Sequence, residues 1–126
     1  MMRYNAETIN RLQNVKRGEI YWCECDDTMC VGSEQNKTRP VLIIQNDVGN
    51  RYSPTTIVAV ISSKIKATHL PTHIVINDNC GLNDKSQIEL EQIKTVDKRR
   101  LVQYVGKISP ATEEKVNKAL LVSVFA

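Results

Sequence analysis

An arginine directly before a proline is the first candidate for chemistry in this sequence. In "KTRPVLIIQND" (37–47), Arg39 precedes Pro40 and a run of aliphatic residues. A residue before proline is pushed into an extended conformation, so Arg39 leaves the preceding segment in a defined direction. Its planar guanidinium could hold a phosphate by two hydrogen bonds, or it could be a solvated charge or pair with Glu34 or Asp47. The residue types alone favour the solvated charge, because most surface arginines do no chemistry.

Hydroxyl and imidazole groups are the next candidates. Ser62 ends the apolar stretch "VAVIS" and is either a strand-terminating turn residue or a hydroxyl delivered to the same end of the domain as Arg39. His69 and His73 are four residues apart, but Pro71 between them argues against a helix. Their spacing therefore does not predict a shared metal-ligand face.

A basic cluster and the cysteines complete the inventory. The cluster is either a solvated helix face or a track for RNA; it consists of Lys94, Lys98, Arg99 and Arg100. The four cysteines, Cys23, Cys25, Cys30 and Cys80, lack the paired spacing of a structural zinc site. We predict free thiols and no metal or other cofactor.

Length and composition describe an ordinary globular protein. The 126 residues can bury the core of one domain. The net charge of +3 permits a nucleic-acid partner without requiring one. No apolar run approaches the ~20 residues of a membrane span, and the N-terminus lacks the apolar block of a signal peptide. These features predict a cytoplasmic protein with no membrane contact.

Hydrophobic periodicity and turn residues predict the elements that position these side chains. Strands are predicted at 15–25, 41–46, 55–62, 72–77, 86–96 and 102–108, with a long loop at 26–38, a turn at 46–50 and a helical turn at 97–101. Pro40 is expected to be the first residue of its strand or to lie on a sheet edge. Residues 1–14 form a leader, with one short helix, ahead of a domain over 15–126.

The C-terminal segment has the features of a helix. Ser109 is a good N-cap and Pro110 suits the first helical position. An apolar stripe follows, formed by Val116, Ala119, Leu120 and Val124. Short, closely spaced strands with one terminal helix predict a small, mainly antiparallel barrel of the α+β class.

Several segments in order resemble the MazF/PemK toxins of type II toxin–antitoxin systems. They are "VKRGEIYW", "GSEQNKTRPVLIIQND", "SPTTIVAVISSK", "LPTHIVI" and "SQIELEQIKTVDKRRL", which together cover about residues 15–104. The resemblance implies an SH3-like, MazF/CcdB-like barrel that forms a homodimer, with RNA in grooves at the dimer interface. A cognate antitoxin would occupy those grooves in the inhibited state.

The resemblance also implies an activity and its residues. It implies a ribosome-independent endoribonuclease that cuts single-stranded RNA at a short sequence without a metal, leaving a 2′,3′-cyclic phosphate and a 5′-hydroxyl. By motif match, Arg39 and Ser62 are catalytic and Glu34 supports Arg39. The residues expected to contact RNA are Gln35, His73, Ser86, Glu91 and Gln92.

Position 62 departs from the family pattern, which typically has threonine there. Serine keeps the hydroxyl but loses the methyl group that restricts its rotamer, and Ser63 offers a second hydroxyl beside it. An alternative function is that of a non-catalytic toxin of the same fold that binds a protein such as DNA gyrase. That function would not need Arg39 or a facing hydroxyl.

Overall fold

The computed structural model describes residues 14–24, 38–76 and 80–125. Within these ranges the elements are, in chain order, β1 (Glu19–Glu24), β2 (Thr38–Ile43), α1 (Asp47–Tyr52), β3 (Thr55–Ser62), β4 (His73–Ile76), β5 (Ser86–Asp97), a 3₁₀ turn (Lys98–Arg100), β6 (Leu101–Lys107) and α2 (Pro110–Val124). The predicted mainly β chain with a C-terminal helix is confirmed. The helix predicted in the leader lies outside the described residues. Neither α1 nor α2 is long and apolar enough to cross a membrane.

The six described strands form one antiparallel sheet in the order β4-β5-β3-β2-β1-β6. Strand β5 bends where its register with β3 shifts. Ala59 pairs with Ile93, but the next residue, Val60, pairs with Glu89, so residues 90–92 have no partner on β3. Extra residues in one strand increase its local twist. The two halves of β5 can therefore follow a curled sheet.

Backbone contact between the two ends of the sheet closes the barrel. The segment that leads into β5 contacts β6 so closely that a Cβ on Gly106 would overlap the carbonyl group of Cys80. A Cβ on Gly81, whose φ is +101°, would likewise overlap the carbonyl of Val105. Only glycine lets the two backbones approach this far.

Strand β2 is buried on both faces, as its unbroken aliphatic run predicted. Leu42 points into the barrel, whereas Val41 and Ile43 belong to a second cluster on the opposite face of the sheet. The interior cluster includes Ile20, Leu42, Ala59, Ile61, Ile74, Ile88, Leu90 and Ile108. Successive side chains of a strand alternate between the two faces of the sheet. The two clusters therefore indicate whether the next residue along a strand points into the barrel or away from it.

Helix α2 packs against the interior cluster and begins where the sequence predicted. The Ser109 hydroxyl accepts a hydrogen bond from the Thr112 amide at 3.2 Å, which satisfies one of the free amides of the first turn. Val116 and Ala119 are buried. The predicted stripe is wrong at its end, because Val124 is 65% exposed.

The turn predicted at 46–50 is instead the start of helix α1. Asn46 caps this helix by accepting a hydrogen bond from the Gly49 amide at 2.8 Å. Asn50 is fully buried, donates to the Gln45 carbonyl and accepts from the Thr56 hydroxyl. These bonds satisfy a polar side chain that would otherwise destabilise the core, and they attach α1 to the sheet.

Pro40 lies inside β2, opposite Trp22 of β1, and is not the first residue of its strand. Strand β2 pairs with β3 over Val41–Ile43. The proline therefore precedes the segment that is paired on both sides, where a missing amide proton interrupts no ladder with β3.

Candidate active site

Strand register places the two predicted catalytic residues on one face of adjacent strands. Arg39 pairs with Cys23 of β1. Val41 pairs with Val60 of β3, so Arg39 and Ser62 each lie two residues beyond the last pair of this ladder. Both residues then lie on the face opposite the barrel interior, because β-strand side chains alternate.

Two further strands extend this face with polar side chains. Ser62 pairs with Gln87 of β5, and Glu89 pairs with His73 of β4. Ile88 lies between Gln87 and Glu89 and points into the barrel, so the two polar residues point outward. We call Arg39, Ser62, Gln87, Glu89 and His73 the polar face.

Gln87 and Glu89 are members of this face that sequence reasoning missed. The Gln87 side chain is fully buried. Its Oε1 accepts from the Lys66 amide at 3.3 Å, and its Nε2 donates to Glu89 Oε2 at 3.1 Å. The signal was present in "SQIELEQ", where polar residues at alternate positions of a strand mark one face.

His73 and Glu91 form an ion pair beside the polar face. His73 Nε2 lies 2.7 Å from Glu91 Oε2, and the two side chains are 4% and 37% exposed. Burial lowers the pKa of His73, but hydrogen bonds to Glu91 and Lys66, together with the charges of Glu91 and Glu89, raise it overall above 6.5. Burial raises the pKa of Glu91, but hydrogen bonds from His73 and others lower it overall below 4.5.

This pair predicts a pH-dependent contribution to stability. Glu91→Gln should lower the free energy of unfolding by about 0.5 kcal/mol, a value typical of a solvent-screened pair. The His73 contribution is complete below pH 6.5 and lost as the pH rises through its higher folded-state pKa. The Glu91 contribution is complete above pH 4.5 and lost as the pH falls through its lower folded-state pKa.

The difference in the free energy of unfolding between wild type and Glu91→Gln should therefore be largest between pH 4.5 and 6.5. Urea unfolding at a series of pH values measures it, with Glu114→Gln on the exposed surface of α2 as control. If this difference in free energy stayed constant from about pH 4 to about pH 9, the His73–Glu91 ion pair would not be its source.

The serine pair at the end of β3 divides between two surfaces. Ser62 is half-buried, and its Oγ accepts from the Lys64 amide at 3.1 Å. Ser63 is exposed and lines a cleft of about 510 Å³ at the mouth of the barrel, which Arg39 also lines. Ser63 thus shares the cleft with Arg39, whereas Ser62 lies on the same sheet face as Arg39.

Among the predicted RNA-contacting residues, Ser86 and Gln92 differ sharply in exposure. Ser86 is only 4% exposed, and its hydroxyl donates to the Asp84 carbonyl at 3.0 Å in the wall of the same cleft. Gln92 is exposed at the bend of β5. Glu34 and Gln35, like Cys25 and Cys30, lie outside the described residues.

The predicted basic cluster does not form one surface. Lys98 is buried and donates to the Asn50 carbonyl, and burial lowers its pKa. Arg99 pairs with Asp97 at 2.9 Å. Lys98 therefore belongs to neither a solvated face nor an RNA track, which leaves Lys94, Arg99 and Arg100 of the predicted cluster.

Comparison with known families decides the classification. The family described as "PemK-like, MazF-like toxin of type II toxin-antitoxin system" matches residues 16–124. The chain belongs to this family. The MazF-like chain is 46% identical over 111 residues to endoribonuclease EndoA of Bacillus subtilis (strain 168), covering 87% of this chain and 94% of that protein.

Solved structures share the fold of this MazF-like chain. An endoribonuclease from mycobacterial species superimposes with a TM-score of 0.72 at 23% identity, covering 88% of this chain and 91% of that one. An endoribonuclease in complex with its cognate antitoxin, also mycobacterial, superimposes with a TM-score of 0.72 at 24% identity. The match covers 87% of this chain and 94% of that one. MazF from Deinococcus radiodurans superimposes with a TM-score of 0.67 at 17% identity, covering 86% of this chain and 94% of that one. The predicted MazF-like fold is confirmed.

Proposed function

We propose that this MazF-like chain is a sequence-specific endoribonuclease toxin that cleaves single-stranded RNA by metal-independent transesterification. The observation that carries the proposal is that Arg39 and Ser62 lie on one face of the adjacent strands β2 and β3, each two residues beyond the pair Val41 and Val60. The 46% identity to a protein named as an endoribonuclease supports it. A binding toxin directed at a protein target would not require this juxtaposition.

In the proposed reaction, the ribose 2′-hydroxyl attacks the adjacent phosphorus and the bond from phosphorus to the 5′-oxygen breaks. The 2′-oxygen loses its proton and the 5′-oxygen gains one, leaving a 2′,3′-cyclic phosphate and a 5′-hydroxyl. Arg39 stabilises the charge that accumulates on the phosphate in the transition state. A guanidinium stays protonated in proteins, so it serves as an electrostatic group rather than as a base.

Ser62 would supply a hydroxyl beside that phosphate. Its Oγ accepts from the Lys64 amide, which leaves its own proton free to be donated to a phosphate oxygen. Glu34 is proposed to orient Arg39. Gln35, His73, Ser86, Glu91 and Gln92 remain the proposed RNA contacts, with the buried Ser86 acting from the cleft wall.

Homodimerisation and antitoxin inhibition are proposed on the same basis. RNA and the antitoxin would compete for a groove between two copies of the chain. One mycobacterial neighbour of the same fold is known in complex with its cognate antitoxin, which supports a protein inhibitor here. No cofactor is proposed.

The deciding experiment is cleavage of a long unstructured RNA by purified protein in excess EDTA, with identification of both product ends. We expect cleavage with a cyclic phosphate and a 5′-hydroxyl. Once a cleaved site is mapped, a single 2′-deoxy substitution at its attacking ribose should abolish cleavage there, because the nucleophile is removed.

A deoxy substitution at the next nucleotide downstream is the matched control and should leave cleavage intact. Intact RNA in the first assay, or dependence on added metal, would overturn the proposal. Inhibition of DNA gyrase by a protein that leaves RNA uncut would instead favour the binding toxin.

A further inference from the structure

The loop between β3 and β4 is held at one residue by side chains of two strands. Residues 63–71 are all exposed, yet both backbone polar groups of Lys66 bond to the sheet. The Lys66 amide donates to Gln87 Oε1 at 3.3 Å, and its carbonyl lies 3.0 Å from His73 Nδ1. Ala67 follows with a left-handed φ of 51°, which a non-glycine residue rarely adopts without such restraint.

Both partners of the His73 ring are hydrogen-bond acceptors. The Lys66 carbonyl faces Nδ1, and the Glu91 carboxylate faces Nε2. A neutral imidazole carries one N–H and can donate to only one of them, whereas an imidazolium donates to both. Complete bonding at His73 therefore requires the charged ring.

The same loop bonds to the proposed catalytic hydroxyl. The Lys64 amide donates to Ser62 Oγ, and Lys64 lies two residues from the point where Gln87 and His73 hold Lys66. This bond occupies one lone pair of the hydroxyl and so limits the directions in which its proton can point. Movement of the loop would change that direction.

We propose that Gln87 and His73 are positioning residues that clamp Lys66, fix the loop over 63–71 and thereby orient the Ser62 hydroxyl. The clamp is complete when His73 is doubly protonated. The part of this inference that concerns catalysis rests on the proposed function, whereas the clamp itself does not.

Charged groups of β5 and α2 lie near His73, and those of β5 favour its protonated form. Glu91 and Glu89 face it from β5 and stabilise the imidazolium, and their effect raises the pKa of His73. Lys115 and Lys118 of α2 line the same groove as His73 and oppose this effect. The bond to Glu91 at 2.7 Å places that negative charge in direct contact with the ring, and the strength of ion pairing falls with distance.

Amide hydrogen exchange tests the clamp without RNA. Gln87→Met keeps the length of the side chain but removes its acceptor, so exchange at the Lys66 amide should accelerate about fivefold or more, the factor that one ordinary hydrogen bond provides. His73→Asn places its amide nitrogen near Nδ1 and should preserve the bond to Lys66. His73→Gln places it near Nε2 and should release the Lys66 carbonyl.

In wild type, protection of Lys66, corrected for intrinsic exchange, should fall as the pH rises through the pKa of His73. In the His73→Asn variant, protection of the Lys66 amide should not fall over this pH range, because asparagine does not titrate. Unchanged exchange in both Gln87→Met and His73→Gln would overturn the clamp. Equal acceleration in His73→Asn and His73→Gln would also contradict it, because the two nitrogens would then be equivalent.

A double-mutant cycle tests the link to catalysis. Gln87→Met should lower kcat about fivefold with little change in KM, and it should add nothing in a Ser62→Ala background. Faster exchange at Lys66 with an unchanged kcat would overturn the positioning role. A wild-type protein that does not cut RNA would overturn the proposed function, and the exchange results would still decide the clamp.

Discussion

Arg39→Ala should slow RNA cleavage by about a hundredfold to a thousandfold, the range measured when one preorganised donor is removed from a transition-state site. Arg39 is the second residue of β2 and lies on the same sheet face as Ser62 of the adjacent strand, and its guanidinium can form two hydrogen bonds to one phosphate. The variant should fold normally, because the residue is only half-buried. The measurement is the initial rate of cleavage of a long unstructured RNA, with RNA affinity determined separately.

Arg39→Lys is the matched control, since it retains the charge but not the planar fork. Its rate should lie between those of wild type and the alanine variant. Loss of RNA affinity with an unchanged rate at saturating RNA would assign Arg39 to binding alone. An alanine variant that cuts as fast as wild type would contradict the proposed role.

Gly106→Ala should produce the largest loss of stability, about 2–3 kcal/mol. Its new Cβ would overlap the Cys80 carbonyl, and the atoms that must move belong to backbone rather than to a flexible side chain. The two ends of the sheet would have to separate, which would also open the cleft lined by Arg39. The urea midpoint and the slope of the unfolding transition measure the effect.

Gly49→Ala is the comparison, because its Cβ would contact the side chain of Gln45 at 3.0 Å. A shift of that side chain would disturb its hydrogen bonds to Asn50 and Thr55, whereas alanine favours the helix by up to about 1 kcal/mol over glycine. We expect these two effects to leave a small net change in stability. If Gly106→Ala were as stable as Gly49→Ala, the close approach of the two backbones would not be what closes the barrel.

Elements with strong local signals were predicted from sequence. Strand β3 covers Thr55–Ser62, the residues predicted, because an unbroken run of β-branched and aliphatic residues has no competing conformation. Helix α2 begins at Pro110 for an equally local reason, the Ser109 cap. At 46–50 the local signals were ambiguous, since asparagine suits both turns and N-caps. The buried bonds of Asn50 to Gln45 and Thr56 stabilise the helix.

Residue types and the order of motifs identified the family, the succession of strands along the chain and Arg39 and Ser62 as candidates. Only the folded sheet revealed that these two lie on one face of adjacent strands, since register depends on pairings between distant segments. It also decided the role of Gln87, which is polar yet fully buried because the loop after β3 covers it. Residue type and spacing report on nearest neighbours along the chain, whereas an active site is assembled from residues that only the curled sheet brings together.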